Sequence, residues 1–124
     1  RQQSSPEKVG PGVWYVLHTL ALSSVNLDEM KIFVSTVRII LENFPCLKCR
    51  INALNFWKQD PPDQSKYFDL KDEDNQSIGM FYWTWMFHNS VNFRLNKPEF
   101  PWNIAHNLYS ESSTCNLGCS PPSS

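Results

Sequence analysis

The stretch Phe44-Pro45-Cys46-Leu47-Lys48-Cys49-Arg50 decides how the chain is divided. Behind it lies the clearest periodicity in the sequence. Met30, Phe33, Val34, Val37, Leu41 and Phe44 fall at i, i+3, i+4, i+7, i+11 and i+14, and Ile40 widens the stripe. Asp28, Lys31, Ser35, Arg38 and Glu42 take the opposite face. This pattern predicts an amphipathic helix from about Leu27 to Phe44. Pro45 cannot continue that helix but is well placed just before a new one. Cys46 is then expected at a helix N-terminus, where unpaired N–H groups and the helix dipole favour a thiolate. Lys48 and Arg50 add positive charge, and a second thiol at Cys49 can resolve a mixed disulfide formed at the first. By spacing alone the pair fits half a zinc site, a redox pair or coincidence.

Working outward, the third helix runs from the cysteine pair to about Trp57 or Gln59, where Asp60-Pro61-Pro62-Asp63 stops it. A polar stretch follows to about Gln76 and carries Asp69, Lys71, Asp72, Glu73 and Asp74, read as a solvated face in a surface loop or partly ordered insertion. It lacks the ligand spacing and central glycine of a calcium loop. Ser77 to Leu95 reads as a fourth helix. Its first half, Met80, Phe81, Tyr82, Trp83, Trp85, Met86 and Phe87, is apolar nearly all round, so it is expected to be buried on most sides. Phe81, Trp85, His88 and Asn92 then share one stripe, and Asn89 stands at i, i+3 from Asn92. Two amides and an imidazole on such a helix need partners, and a polar ligand is the favoured one.

Toward the N-terminus, Gly10-Pro11-Gly12 reads as a turn leading into a first helix from Val13. Trp14, Leu17, Leu20 and Ala21 form its stripe, with His18 one turn from Trp14. Taken alone, that pair reads as an aromatic–histidine core contact. Residues before it are polar and expected to be flexible (1–8). Toward the C-terminus, Asn96-Lys97-Pro98 ends the fourth helix, and Pro101-Trp102 opens a short fifth one through about Tyr109. A Ser/Pro-rich tail (111–124) carries a second pair, Cys115 and Cys119, and is expected to be flexible. One domain over 9–110 is expected, all-α, as a four-helix bundle with a short fifth helix.

Composition narrows the function classes. The formal net charge of −1 gives no electrostatic footprint for nucleic acid. No apolar run is long enough for a membrane span. No secretory signal is visible, and a start at Arg1 rather than Met is read as an upstream segment having been removed. Four cysteines are too few and too unevenly placed for a disulfide-dense scaffold. Aromatics make up 14% of the chain, with five Trp and eight Phe, a surplus that suits a flat ligand or an aromatic interface. No strand signal supports a thioredoxin-type reading of the cysteine pair.

Three motifs in order are similar to those of the Erv/ALR family of FAD-linked sulfhydryl oxidases, over about Glu7 to Tyr109. Gly10-x-x-x-Trp14-x-x-x-His18-Thr19-Leu20-Ala21 resembles its first-helix motif. Phe44-Pro45-Cys46-x-x-Cys49 resembles its redox motif. His88-Asn89-x-Val91-Asn92-x-x-Leu95-x-Lys97-Pro98 resembles its flavin-binding motif. The resemblance implies FAD held in the mouth of the bundle, contacted by Gly10, Trp14, His18, His88, Asn89, Asn92, Lys97 and Tyr109. Trp102 is a weaker candidate, and Lys97 or Arg94 would meet the pyrophosphate. It implies Cys46 as the interchange thiol and Cys49 as the charge-transfer thiolate against the flavin. Electrons would pass from thiol-containing protein substrates to FAD and then O2, giving a substrate disulfide and H2O2. It also implies a homodimer and, in Cys115/Cys119, a shuttle disulfide. The chain departs from the family pattern at Pro11, where a basic residue is common, and at Asn96, where Gly is usual. It also lacks the extra disulfide that clamps the fifth helix in many members. In these features it resembles minimal members from large DNA viruses. Two rival readings use the same residues: a non-enzymatic zinc-stabilised interaction module, and a helical partner-binding domain whose aromatics form an interface.

Overall fold

The structure, a computed structural model, describes the backbone of residues 6–112 and the side chains of residues 10–110. It contains α1 (Pro6–Ser23), α2 (Leu27–Asn43), α3 (Leu47–Gln59), α4 (Ser65–Phe68), α5 (Gly79–Arg94) and α6 (Trp102–Ser112). No strand occurs among the described residues, only an isolated bridge between Lys71 and Ser77. The all-α bundle expected from the sequence is the fold, with the one-turn α4 added. α1 packs on α5, α6 and α2, α2 packs on α3, and α4 rests on α5.

The boundary that differs most is the start of α1. The sequence reading put a turn at Gly10-Pro11-Gly12, but the helix runs from Pro6 straight through it. Proline's fixed φ is itself helical, so Pro11 removes one backbone bond, to the Glu7 carbonyl, without changing the helical path. α6 likewise continues three residues past Tyr109 to Ser112.

α2 forms as its pattern demands. Asn26 caps it in a reciprocal box: its side-chain oxygen accepts from Glu29 N–H at 2.9 Å, and Glu29 Oε1 accepts from Asn26 N–H at 3.3 Å. Met30, Phe33, Val37 and Leu41 are its buried residues, one side of the helix over about three turns. Truncating any of them to Ala would remove about 2–5 kcal/mol. The helix stops at Asn43 because Pro45 drives the residue before it out of helical geometry. Phe44 is extended at φ −61° and ψ 137°.

The stretch after α3 is more ordered than its polarity implied. Asp60 is its hub. Its carboxylate accepts from the Tyr67 hydroxyl and from Gln64 Nε2 at 3.0 Å, and pairs with Lys66 at 3.1 Å. Its backbone oxygen accepts from Trp83 Nε1 at 2.7 Å. Burial pushes the Asp60 carboxyl pKa up, but the hydrogen bonds from Tyr67, Lys66 and Gln64 outweigh it and hold the group below its ordinary value. This fastens α4 to the start of α5, and Tyr67 is buried there. The expected solvated face is present beyond it: Asp69, Lys71, Glu73 and Asp74 are exposed.

Gly79 opens α5 under the α4 turn, and a Cβ there would fall on the Tyr67 carbonyl oxygen, a backbone atom that cannot step aside. At Gly12 nothing lies within 4 Å of an added Cβ. Gly79→Ala is therefore expected to destabilise the protein by about 2 kcal/mol or more, while Gly12→Ala is expected to be neutral or to stabilise it by up to about 1 kcal/mol. Urea unfolding midpoints check this, and indistinguishable midpoints for the two variants would contradict the close approach.

Candidate active site

Pro45 does two things for the cysteines. It ends α2, and it leaves Cys46 as the N-cap of α3, extended at φ −166° and ψ 107°. Cys46 Sγ accepts from Cys49 N–H at 3.2 Å, so the sulfur sits in the position a serine or aspartate cap oxygen would take. Cys46 and Cys49 are joined as a disulfide with Cα atoms 5.2 Å apart. Arg50 donates to the Phe44 carbonyl at 3.2 Å and ties the loop to the helix behind it. On reduction, the cap hydrogen bond and the helix dipole favour the thiolate at Cys46.

One face of this turn opens on a cavity of about 980 Å³, at the upper end of the range for small-molecule sites. Cys49 is on its wall, together with Leu41 and Phe44 of the preceding segment. α1 contributes Gly10, Gly12 and Trp14; α5 contributes His88, Val91, Asn92 and Arg94; the segment after α5 contributes Lys97, Pro98 and Phe100; α6 contributes Tyr109. Trp14 lies flat on His88, centroids 3.9 Å apart and planes 4° from parallel. Of the residues singled out in the sequence, Gly10, Trp14, His88, Asn92, Lys97, Tyr109 and Cys49 therefore meet at one cavity.

His18, Asn89, Trp102 and Cys46 do not line it. His18 is fully buried behind His88 and stacks on Trp14 at 5.6 Å, the core contact that the Trp14/His18 spacing suggested. Asn89 turns its amide onto the Phe100 backbone, accepting from Phe100 N–H at 2.8 Å and donating to Phe100 oxygen at 3.1 Å. Trp85 Nε1 donates to the same oxygen at 2.7 Å, so Asn89 and Trp85 together fix the Phe100 wall. Trp102 packs on Phe81, Tyr82 and Trp85. Cys115 and Cys119 lie outside the described residues.

Asn96 adopts φ 57°. The backbone closes α5 around it: Lys97 N–H bonds Asn92 oxygen at 2.8 Å and Asn96 N–H bonds Phe93 oxygen at 3.2 Å. This is the left-handed helix stop that glycine usually makes, and asparagine tolerates it best among the other residues. It delivers Lys97 and Pro98 to the cavity. Sequence reasoning missed Thr84, which is fully buried beneath His18, and the wall roles of Leu41, Phe44 and Phe100. A lone threonine within an aromatic run gave the only sign of it.

The two imidazoles stand 2.9 Å apart, His18 Nε2 to His88 Nδ1. Burial, then the neighbouring His88, lowers the His18 pKa to about 3; burial, then the Lys97 charge, lowers that of His88 to about 4. Burial also raises the Tyr109 hydroxyl, with Tyr15 adding to it. Both histidines are thus neutral at physiological pH. Unfolded, each would bind its proton near the ordinary value of about 6.5. The unfolded chain therefore holds more protons between about pH 3 and pH 6.5, and stability falls as pH drops through that window. Thermal melting of the full chain is expected to lose several degrees between pH 7.5 and pH 4.5. His88→Gln should lose less over the same interval, and an equal loss in parent and variant would remove the histidines as the cause.

The chain is similar to known proteins in sequence and in fold. Residues 11–112 match the model of the Erv1 / Alr family. The FAD-linked sulfhydryl oxidase of African swine fever virus (isolate Warthog/Namibia/Wart80/1980) is 33% identical over 106 residues, 83% of this chain and 81% of the relative. That of isolate Pig/Kenya/KEN-50/1950 is 32% identical over the same extent. The fold is shared with the FAD-binding domain of Erv1 from Saccharomyces cerevisiae, at a TM-score of 0.71 and 20% identity, covering 87% of this chain and 96% of that one. The yeast Erv1 core gives a TM-score of 0.71 at 18% identity. With its family model matched across most of its length, the chain belongs to the Erv1/Alr family.

Proposed function

We propose that the chain is an FAD-dependent sulfhydryl oxidase that makes disulfides in protein substrates, by the net reaction 2 R–SH + O2 → R–S–S–R + H2O2. The observation that carries this reading is the Cys46–Cys49 disulfide with Cys49 on the wall of the aromatic cavity. The residues present fit FAD. Flat rings suit the Trp14–His88 stack and the Phe100 and Tyr109 faces. Arg94 and Lys97 offer two cations for a pyrophosphate. Gly10 and Gly12 expose helix backbone with nothing within 4 Å of a missing Cβ, leaving room for close approach. The zinc reading needs free thiolates. Here the two sulfurs are bonded to each other.

When bound, FAD supplies the two-electron acceptor that hands electrons on to O2. The protein's own part is thiol–disulfide exchange. A substrate thiolate attacks Cys46 Sγ; the Cys46–Cys49 bond breaks and a mixed disulfide forms at Cys46. Cys49 leaves as a thiolate on the cavity wall, where it would face a bound cofactor. A second substrate thiolate attacks the mixed disulfide, releases the oxidised substrate and leaves Cys46 as the thiolate capped by Cys49 N–H. Cys46 is therefore the interchange residue and Cys49 the one that meets the flavin. Exposed Leu47 and Ile51 flank the pair on the solvent side, an apolar landing surface for an unfolded substrate segment. Cys115 and Cys119 would relay electrons to Cys46 as a shuttle. A homodimer is proposed as well, supported by exposed Leu20 and Ile32 beside one shallow groove of α1 and α2 and by exposed Ile39 two turns along.

The purified full chain is expected to carry visible flavin absorbance and to consume O2 with dithiothreitol, forming equimolar H2O2. A colourless protein with stoichiometric zinc would overturn the oxidase reading. Cys49→Ser is expected to abolish reduction of the flavin by dithiols. Cys46→Ser is expected to stop turnover while keeping a long-wavelength absorbance from the Cys49 thiolate beside the flavin. Parent-like oxidation by both variants would overturn the division of roles. For the dimer, sedimentation is expected to give twice the 14.4 kDa chain mass for the parent and the single mass for Ile32→Glu/Ile39→Glu; a monomeric parent would remove it.

A further inference from the structure

The FAD reading makes no use of Thr84. Thr84 is fully buried in α5, in the middle of an otherwise aromatic run. Its hydroxyl donates to the Phe81 carbonyl at 2.8 Å, which spends its only proton. The same oxygen stands 2.9 Å from His18 Nδ1. It can then only accept there, so the His18 proton is on Nδ1. His18 is itself fully buried among Trp14, Phe81 and Tyr109, and its hydrogen-bond partners among the described residues are Thr84 and His88, so no carboxylate there offsets the desolvation of a cation. With one proton on Nδ1, a neutral His18 has a bare Nε2. That nitrogen is 2.9 Å from His88 Nδ1, a distance that holds one proton between the two, and the proton must come from His88. His88 is neutral for the same reason, with the Lys97 charge opposing a second proton. Its other ring nitrogen, Nε2, is directed away from His18 and carries a lone pair. His88 is on the cavity wall, whereas His18 and Thr84 are not.

We propose that Thr84, acting through His18, sets the tautomer of His88, so that His88 presents Nε2 to the cavity as a hydrogen-bond acceptor for a ring or amine N–H of the bound cofactor. The chain of donors runs one way, from His88 to His18 to Thr84 to the Phe81 carbonyl, and its fixed end is a backbone oxygen held by α5. Thr84 is a positioning residue: it lies two groups away from the ligand yet decides whether the wall accepts or donates. The ligand half of this inference rests on the FAD reading. The tautomer half does not.

The test uses the full chain labelled with 15N and long-range 1H–15N correlations of the imidazole rings at pH 7.5, with and without FAD. Both histidines are expected as Nδ1–H tautomers, the form disfavoured in free histidine. Thr84→Val keeps the shape but removes the acceptor, and is expected to invert both rings to Nε2–H, turning the cavity nitrogen into a donor. FAD affinity, read by flavin fluorescence, is expected to fall about tenfold in Thr84→Val, equivalent to about 1.4 kcal/mol. Thr84→Ser restores the hydroxyl and is expected to keep the parent tautomers and affinity. A parent His88 with its proton on Nε2 overturns the inference whatever the fate of FAD binding, and needs no variant to fold. Unchanged FAD affinity in a Thr84→Val whose rings have inverted overturns the ligand half. A parent that binds no FAD overturns the oxidase reading and the ligand half together, while the ring nitrogens still decide the tautomers.

Discussion

A polar group buried between α1 and α5 is costly unless it finds a hydrogen-bond partner there. That constraint organises this molecule. α5 enters the bundle with Met80, Phe81 and Trp83 wholly buried, and α1 meets it with Leu17 and Ala21. In such surroundings an unpaired imidazole or hydroxyl costs on the order of 1–3 kcal/mol. Thr84, His18 and His88 avoid that by bonding in series, and the series ends at the cavity rather than in the core. Its inner members hold the α1–α5 seam in register. Its outer member forms part of the cavity wall, with Trp14 lying flat against it. Seam and site are one network, so a substitution that loosens one disturbs the other.

The cysteine turn depends on a different constraint, the conformational restriction that proline places on its neighbour. Phe44 must be extended, α2 must end, and the next helix must begin with a sulfur at its cap. The two cysteines differ because of where the helix starts. Cys46 is outside the first turn, beside exposed Leu47, and Cys49 is inside it, facing the cavity. A sequence that began this helix one residue later would turn Cys49 away by about 100° and separate the disulfide from the aromatic walls.

How much of this the sequence disclosed follows from how local each cause is. The α2 stripe, its end at Pro45 and the run of α3 to Gln59 depend on neighbours within a turn or two, and they were legible. So was the gathering of Trp14, His88, Asn92 and Cys49, although only through motifs that had to be read together. What was not legible depends on distant partners. Asp60 looked like a loop residue because Gln64, Lys66 and Tyr67 reach it only when α4 turns back, and Trp83 comes from 23 residues on. Asn89 looked like a ligand group because nothing in its own helix shows that Phe100, eleven residues on, returns to occupy both ends of its amide. Pro11 looked like a helix boundary because its signal is a propensity, and packing of α1 on three helices overrides it.

Asn96 closes α5 at a positive φ. Its position needs a left-handed backbone, and glycine is the common solution because it has no Cβ to strain. Asparagine meets the requirement at modest cost, and in return the unfolded chain has less freedom to lose than a glycine would give it. The stop is complete, with both of its backbone bonds made. Lys97 therefore reaches the cavity in this chain by the route a glycine would give, and there its charge disfavours a proton on His88. The end of α5 thus acts on the chemistry at its middle through electrostatics alone, since no bond joins Lys97 to the imidazole pair among the contacts of the described residues.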